Sequence, residues 1–566
     1  MTNRKILIYQ VLPRLFGNRN TTRKCNGTMA ENGVGKLNDF DTSRLRKIHD
    51  MGFTHIWYTG VIRHATTTDY TQFGIPRQHS CVVKGKAGSP YAITDYYDVD
   101  PDLAVDVNHR MDEFEALVQR SHAIGMKVII DFVPNHVARE YHSILRPKGV
   151  VDLGESDDTS KHFDPQNNFY YCPGQPFVGP VAPAAGEPAY EEMPAKCTGN
   201  DHFDAHPGFN DWYETVKLNY GIDYCDAGGR STHFDPIPNT WTKMTDILLY
   251  WAGKGIDGFR CDMAEMVPHE FWHYATSIVK MRYPGLVFIG EVYDPNQYRT
   301  YLASGFDYLY DKVGMYDCLR DVVCGRRPAN SITGCWQSTD DIKSHMLYFL
   351  ENHDEQRIAS DFFCGDAFKA IPAVVVSALF HGNPFMVYSG QEIGERGMDE
   401  EGFSGKDGRT TIFDYWSLDS IVKGYFAPRK LSAAERQLMT LYRSILHIAN
   451  HEKAVADGLS FDLMYANTQS SADQTSSKPL DVRSQFAFLR KKDKDVLLVV
   501  ANFSNQCGNV SVVIPSHAFD YLSLPEKDIE AASLLDVSKP VLRLRRDKAV
   551  VVNIQPYGAT ILKFKI

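Results

Sequence analysis

In GIDGFRCDMAEM, residues 255–266, a guanidinium and a carboxylate stand two residues apart: Arg260 and Asp262 alternate with Phe259 and Cys261. In a strand, residues two apart point the same way, so Arg260 and Asp262 share a face. A surface ion pair of this kind is common and worth little. The other reading is a carboxylate kept ionised and aimed by its neighbour. Comparable apolar runs also end in polar residues: Asp131, Asn135 and His136 in MKVIIDFVPNH (126–136), Glu291 in GLVFIGEV (285–292), and His353 and Asp354 in HMLYFLENHD (345–354). Singly, each has a plain structural use as a helix cap, a rim residue or a satisfied core histidine. Together, at successive strand ends, they mark a reactive mouth.

Cleaving a glycosidic bond with retention needs two carboxyls about 5–5.5 Å apart, one as nucleophile and one as acid/base. Neighbouring strands lie about 4.8 Å apart, so carboxylates ending consecutive strands can meet that spacing. Asp262 would be the nucleophile, ionised by Arg260. Glu291 would be the acid, its proton retained by the crowding of other carboxylates, and Asp354 supplies that like charge and can grip sugar hydroxyls. A two-metal hydrolase is the competing use of Asp/His clusters. It wants His-x-His or several bridging acids close in sequence, and the chain offers neither.

The elements that must carry these residues recur along the chain. Eight apolar, β-rich runs begin with KILIYQVLPRLF (5–16) and FTHIWYTG (53–60) and finish with FDYLYD (306–311), HMLYFLENHD and PFMVYSGQE (384–392). Amphipathic helical patterns lie between most of them, as in HRMDEFEALVQRSHAIG (109–125) and TKMTDILLYWAGKG (242–255), each followed by Gly and then a strand. Continuous apolar strands alternating with helices predict a parallel sheet covered on both faces, and eight of them fit a (β/α)₈ barrel with its reactive residues at the C-terminal strand ends. A doubly wound open sheet is the alternative, weakened by the absence of a Gly-rich phosphate loop after the first strand. The third and fourth strands are separated by a stretch rich in Pro, Gly, Asn, Asp and aromatics, which reads as an inserted subdomain. From about residue 456 the pattern changes to alternation with turns, an antiparallel β-sandwich, with SSADQTSS (470–477) as a solvated loop. The expected organisation is a barrel over 1–136 and 234–450, an insert over 137–233 and a C-terminal sandwich over 451–566.

Composition bounds the partners. The chain has 566 residues, 43% hydrophobic and 23% charged, ordinary for a globular protein of two to four domains. A net charge of −10 argues against nucleic acid. No run approaches the ~18 apolar residues of a membrane span. The eleven cysteines are odd in number and lack a C-x-x-C pair, so they read as mostly free thiols. The first apolar run is too interrupted for a signal peptide; as it stands the sequence reads as cytoplasmic, and a trimmed leader would make it periplasmic. The aromatic fraction of 12% suits either large cores or a groove lined with flat rings.

DFVPNH, GFRCDMAEM, GEV and FLENHD resemble, in order and spacing, the four signature regions of the α-amylase family of glycoside hydrolases, and GQEIG (390–394) matches the end of that family's eighth strand. The resemblance covers nearly the whole chain and is nearest to neopullulanase- and cyclomaltodextrinase-like bacterial α-amylases, because TVKLN (215–219) resembles their fifth region. It implies Asp262 as nucleophile, Glu291 as acid/base and Asp354 as transition-state stabiliser, with Tyr91, His136, Arg260 and His353 contacting the sugar beside the scissile bond. The implied substrate is an α-1,4-glucan such as a maltodextrin, cyclodextrin or pullulan, with no organic cofactor. Transglycosylation or glucosyl isomerisation on the same scaffold is the alternative, and a non-catalytic sugar-binding scaffold is the third. The resemblance also implies a structural Ca²⁺ with Asn135 among its ligands. Glu265 and Met266 stand where many members have Lys-His, which puts that cage in question, as does the charge of Lys217. A second Ca²⁺ loop is conceivable in 17–41, where a turn-rich loop is the simpler reading.

Overall fold

Each of the eight apolar runs contributes one parallel strand, and the eight close on themselves. The computed structural model describes residues 5–468 and 477–566. Its barrel strands are β1 (Leu7–Val11), β2 (His55–Tyr58), β3 (Lys127–Phe132), β4 (Gly258–Cys261), β5 (Val287–Gly290), β6 (Tyr308–Tyr310), β7 (Met346–Phe349) and β8 (Phe385–Tyr388). They pair in chain order, and β8 returns to β1, with Gln10 opposite Tyr388. That closure sets aside the open doubly wound sheet.

Alternation sorts the side chains. Ile8, Trp57, Ile129, Ile289 and Leu347 fill the barrel interior, while Tyr9, Ile56, Val128 and Phe288 belong to the larger core under the helices. Burial on both faces is why these strands read as unbroken apolar runs. The exceptions are the polar residues on the inward face, Gln10, Asp131 and Arg260, each at most 4% exposed.

The covering helices include α1 (Thr42–Asp50), α2 (Arg110–Ala123), α3 (Asn239–Ala252), α4 (His269–Arg282), α5 (Ile371–Leu379) and α6 (Ala433–His451). The Asp41 side chain caps α1 by accepting from the Arg44 N–H, and Ser432 with Glu435 forms a capping box on α6. After α2 and α3 the chain turns into the next strand at Gly125 (φ 90°) and Gly255 (φ 86°), a left-handed backbone that glycine adopts without steric cost.

Between β3 and β4 the chain forms short antiparallel pairs rather than regular layers. His136–Ala138 pairs with Thr215–Lys217, and Tyr171–Cys172 with Ala195–Lys196. This segment has its own apolar cluster, including Tyr170, Phe177 and Cys197. Its Cys172 and Cys197 sulfurs lie 3.8 Å apart as free thiols.

The C-terminal part is antiparallel apart from one short parallel pair, Lys478–Pro479 against Gly508–Ile514. Strands β9 (Leu459–Asp462), β10 (Gln485–Lys492), β11 (Asp495–Asn502) and β14 (Gly558–Lys565) share one sheet, and β12 (Gly508–Ile514) pairs with β13 (Lys548–Ile554) in another. Arg490 on β10 is 1% exposed and clamps this domain to the barrel. It donates to the carbonyls of Phe380 (2.7 Å), Ala454 (2.9 Å) and Val455 (2.6 Å). The stretch 470–476, expected as a solvated loop, lies outside the described residues. Among the described residues no helix is long and apolar enough to cross a membrane.

Candidate active site

The C-terminal ends of β3, β4, β5 and β7 bring the predicted residues to one mouth. Arg260 is the hub. Its Nη1 donates to Asp262 Oδ1 at 2.7 Å, and its Nη2 lies 2.8 Å from Glu291 Oε2. Nη1 also lies 3.6 Å from Asp131 Oδ1, and Nε donates to the Tyr310 hydroxyl at 3.3 Å. The rings of Trp57, Tyr91 and Tyr310 surround the guanidinium, 5.3–5.5 Å from centroid to Cζ. Phe259 and Cys261 point the other way, into the core under the helices. The alternation read in the sequence is therefore the alternation of the barrel wall.

Glu291 is held on both oxygens. Oε2 accepts from the Met263 backbone N–H at 2.7 Å, and Oε1 accepts from the Tyr293 hydroxyl at 2.5 Å. Met263 follows Asp262 directly and is left-handed (φ 42°), a conformation costly for a residue with a Cβ. This turn aims the amide at Glu291. Glu265, in place of the expected Lys, accepts from the backbone N–H groups of Tyr293 (2.8 Å) and Asp294 (3.0 Å) through Oε2. It ties the loop after β4 to the loop after β5.

The second half of the mouth is built on Tyr91 and His353, whose rings stack at 5.2 Å. Gln10 Nε2 donates to His353 Nδ1 at 2.8 Å, so the proton sits on Nε2. From there it faces the Tyr91 oxygen at 2.6 Å and Asp354 Oδ2 at 3.1 Å. Asp131 accepts from Trp57 Nε1 (3.0 Å), the Gly60 N–H (3.2 Å) and Tyr91 (3.3 Å). His136 is buried beside Trp212, ring centroids 5.2 Å apart. The resulting cleft, 210 Å³, includes Tyr91, His136, Asp262, Glu291 and Asp354, together with Trp212 and Phe413 from loops.

Charge is concentrated here. Burial raises the Asp262 carboxyl well above the usual range; Arg260 opposes the rise and the charge of Glu291 adds to it. Asp131 is pushed up to about 6 by burial against the pull of Arg260. Asp354 is pushed up to about 7 by desolvation and by Glu291; its side chain is 44% exposed, and the water it keeps moderates that shift. Burial and the Arg260 charge hold His353 well below its ordinary value, and burial with Lys217 and Lys84 takes His136 down to about 3. Both imidazoles are neutral hydrogen-bonding groups at pH 7.

The residues assigned to Ca²⁺ are engaged otherwise. Asn135 Oδ1 accepts a short hydrogen bond from the Lys217 ammonium, and its Nδ2 donates to the Gly199 carbonyl at 2.7 Å. Lys217, 2% exposed, also lies 2.7 Å from Asp201 Oδ1 and 3.4 Å from the Met266 carbonyl. An amide oxygen, a carboxylate and a backbone carbonyl around one cation are a suitable oxygen set for Ca²⁺, but the cation present is an ammonium. The expected Ca²⁺ does not fit while Lys217 points inward. In the 17–41 segment, Asn18 and Asn32 donate to the carbonyls of Trp416 and Tyr415 at 2.7 and 2.9 Å, a tied loop rather than a cage. Among the described residues no group of three or more His, Cys, Asp or Glu is placed to hold a metal.

Sequence reasoning missed Gln10, Trp57, Met263, Glu265 as a loop tie, Tyr293, Trp212 and Phe413. Gln10 alone left a signal, a lone amide inside an apolar strand. GQEIG does end β8, but its Glu392 is buried between the hydroxyls of Tyr9 (2.9 Å) and Tyr425 (2.7 Å), away from the cleft.

The family "Alpha amylase, catalytic domain" matches residues 10–421. The chain belongs to the alpha-amylase family. Within it, similarity to characterised proteins is modest. An alpha-amylase of Streptomyces lividans is 25% identical over 87% of this chain and 54% of its own length. Neopullulanase 2 of Thermoactinomyces vulgaris is 21% identical over 70% of this chain and 57% of its own. The chain thus spans only about half the length of these relatives, and 34% of Maltase A1 of Drosophila melanogaster. Among solved structures, a cyclomaltodextrinase superposes with a TM-score of 0.65 at 18% identity, covering 100% of this chain and 78% of that one. The alpha-amylase of Geobacillus thermoleovorans, solved with acarbose, gives the same TM-score and identity over 100% and 99%. These likenesses carry the fold.

Proposed function

We propose that this alpha-amylase family member is a retaining glycoside hydrolase that cleaves α-1,4-glucosidic bonds in starch-derived oligosaccharides. The observation that carries the reading is the Arg260 fork, with Asp262 on one terminal nitrogen and Glu291 on the other (2.7 and 2.8 Å). One guanidinium holding both carboxylates is compatible with the ~5–5.5 Å spacing of a retaining pair. Asp262 attacks the anomeric carbon while Glu291 gives its proton to the departing glycosidic oxygen, producing a glycosyl-enzyme ester and a shortened glucan. Glu291, now ionised, takes a proton from water, whose oxygen attacks the same carbon and frees Asp262. Asp354, with His353 and His136, holds hydroxyls of the sugar undergoing change, and Tyr91 offers it a flat ring. The acarbose complex of one structural neighbour, the cyclomaltodextrinase name of another and the neopullulanase name of a sequence relative support an α-glucan as substrate. The free thiols support a reducing, cytoplasmic location.

A time course with maltoheptaose, resolved by chain length and anomeric configuration, tests the proposal. Shorter products released as the α-anomer are expected. Longer products would reassign the second step to a sugar acceptor, and release of the β-anomer would overturn the retaining mechanism.

A further inference from the structure

The mouth has two ends, and the catalytic groups say which is which. Glu291, as the acid, lies against the leaving group, so the departing part of the glucan runs over the loops after β4 and β5. There Met263 and Tyr293 border the cleft, and residues 294–297 beyond them are exposed. That end is open. In the closed barrel β8 and β1 stand across from β4 and β5. A chain that continues past the attacked sugar toward its non-reducing end must therefore leave over β8, β1 and β2.

That exit is walled. The cleft stops there at Lys84 and Ser89, from the loop after β2, and at Ile412 and Phe413, from the loop after β8. Lys84, Ser89 and Ile412 are at most 8% exposed. The two loops meet backbone to backbone, the Ala87 N–H donating to the Phe413 carbonyl at 3.0 Å. Gly85 packs so closely that a Cβ on it would lie 2.2 Å from the same carbonyl oxygen, and its φ of 66° is left-handed. Arg14, which follows β1 and is buried, fastens the seam. Its Nη1 donates to the carbonyls of Ile412 (2.9 Å) and Gly88 (3.1 Å), and its Nη2 to that of Ala87 (3.0 Å).

The insert completes the wall. Lys84 Nζ lies 3.1 Å from Glu214 Oε2, with both side chains at most 10% exposed. Separating them would leave an uncompensated buried charge on each side. Farther out, Phe209 of the insert stacks on Phe403 of the loop after β8, centroids 5.8 Å apart, and Phe403 meets Phe413 at 5.0 Å. A buried guanidinium, an ion pair and a row of rings thus join three loops from separate parts of the chain. A glucan passing through would have to break all three. The space matches: the cleft measures 210 Å³, below the ~300–1,000 Å³ of sites that bury a drug-sized ligand. It suits one pyranose on the glycone side, not a run of them.

We propose that the cleft is a blind pocket that admits only the terminal glucosyl unit at the non-reducing end, so that each turnover consumes one water and releases one glucose. A residue inside a chain carries its next sugar on O4, and the wall leaves that sugar no path. Cyclic glucans, which have no end, are excluded for the same reason. The proposal rests on the α-glucan hydrolase reading of the same site, and its test tells the two apart.

The test uses wild-type protein and three substrates. One is maltoheptaose labelled at its reducing end. The second is the same chain with the 4- and 6-hydroxyls of its non-reducing terminus bridged by a benzylidene group, and the third is β-cyclodextrin. Products are resolved by chain length at early times. The expected first products from the free chain are unlabelled glucose and labelled maltohexaose, with cleavage lost on the blocked and the cyclic substrates. Maltose or a longer unlabelled fragment as first product, or cleavage of the blocked or the cyclic substrate, overturns the blind pocket and leaves the hydrolase standing. Inactivity on all three overturns the hydrolase reading and this proposal with it.

Discussion

The Lys217 ammonium lies 2.7 Å from the Asp201 carboxylate and donates to Asn135, the residue that the family resemblance would give to a calcium ion. Lys217 stands directly opposite His136 in a short antiparallel pair, so its position is fixed by backbone register as well as by charge. Treatment with EDTA should change neither the initial rate nor the melting temperature, measured by assay and by circular dichroism. Loss of activity from folded protein, restored by Ca²⁺, would show that a metal displaces the lysine. Lys217→Ala should cost about 2 kcal/mol in urea unfolding, less than the ~3–5 kcal/mol of a fully buried pair because Asp201 is 30% exposed.

Asp262→Asn removes the attacking oxygen's charge but keeps the side chain's shape. Turnover of maltodextrins should fall by several orders of magnitude with an unchanged melting curve. A variant keeping even about a tenth of wild-type turnover would remove Asp262 from the nucleophile role.

Glu291→Gln separates the acid from the nucleophile. Cleavage of maltodextrins, which needs leaving-group protonation, should be nearly lost, whereas formation of the glycosyl-enzyme from a maltosyl fluoride should be much less affected. The pH profile adds a sign. The ionised form of Asp262 is the reactive one, so activity is present above its pKa and lost as pH falls through it. Burial raises that pKa, which places the acid limb above the ordinary aspartate range. Glu291 as the acid is already neutral where Asp262 titrates, so with Gln at 291 the limb measured with the fluoride should stay where it is. A limb that moves to lower pH would show Glu291 ionised at that point and remove it from the acid role.

The reading from sequence succeeded where one local rule sufficed. Eight strands were legible because burial on both faces leaves continuous apolar runs, and the polar residues ending them were legible because strand period fixes their face. Arg260 and Asp262 needed only a spacing of two. What holds Glu291 was not legible. Tyr293 looks like any aromatic beside a strand, and the Met263 amide has no side-chain identity to read. Trp57 reaches Asp131 across 74 residues and Gln10 reaches His353 across 343, contacts that only barrel closure creates. Asn135 was legible as a ligand type, yet its partner turned out to be Lys217. A donor set does not say which cation it holds.

Glu265 offers the sharpest test of how the mouth is positioned. Its Oε2 accepts from two consecutive backbone amides, Tyr293 and Asp294, and the Tyr293 hydroxyl in turn donates to Glu291. Removing the carboxylate frees the loop after β5 without touching substrate or the reacting carboxylates. Displacements of about 1 Å at a reacting centre can cost up to ~10²-fold in rate; acting through one loop, Glu265→Ala should lower kcat by roughly tenfold and leave KM nearly unchanged. Glu265→Gln retains an oxygen that can accept both amides, so it should recover most of the rate. That rescue, with an unchanged melting temperature in the alanine variant, distinguishes positioning from a general loss of stability, which would lower the melting temperature and cut apparent kcat with the folded fraction while leaving KM unchanged. If the glutamine variant were as slow as the alanine variant, the negative charge rather than the hydrogen bonds would be what the site requires.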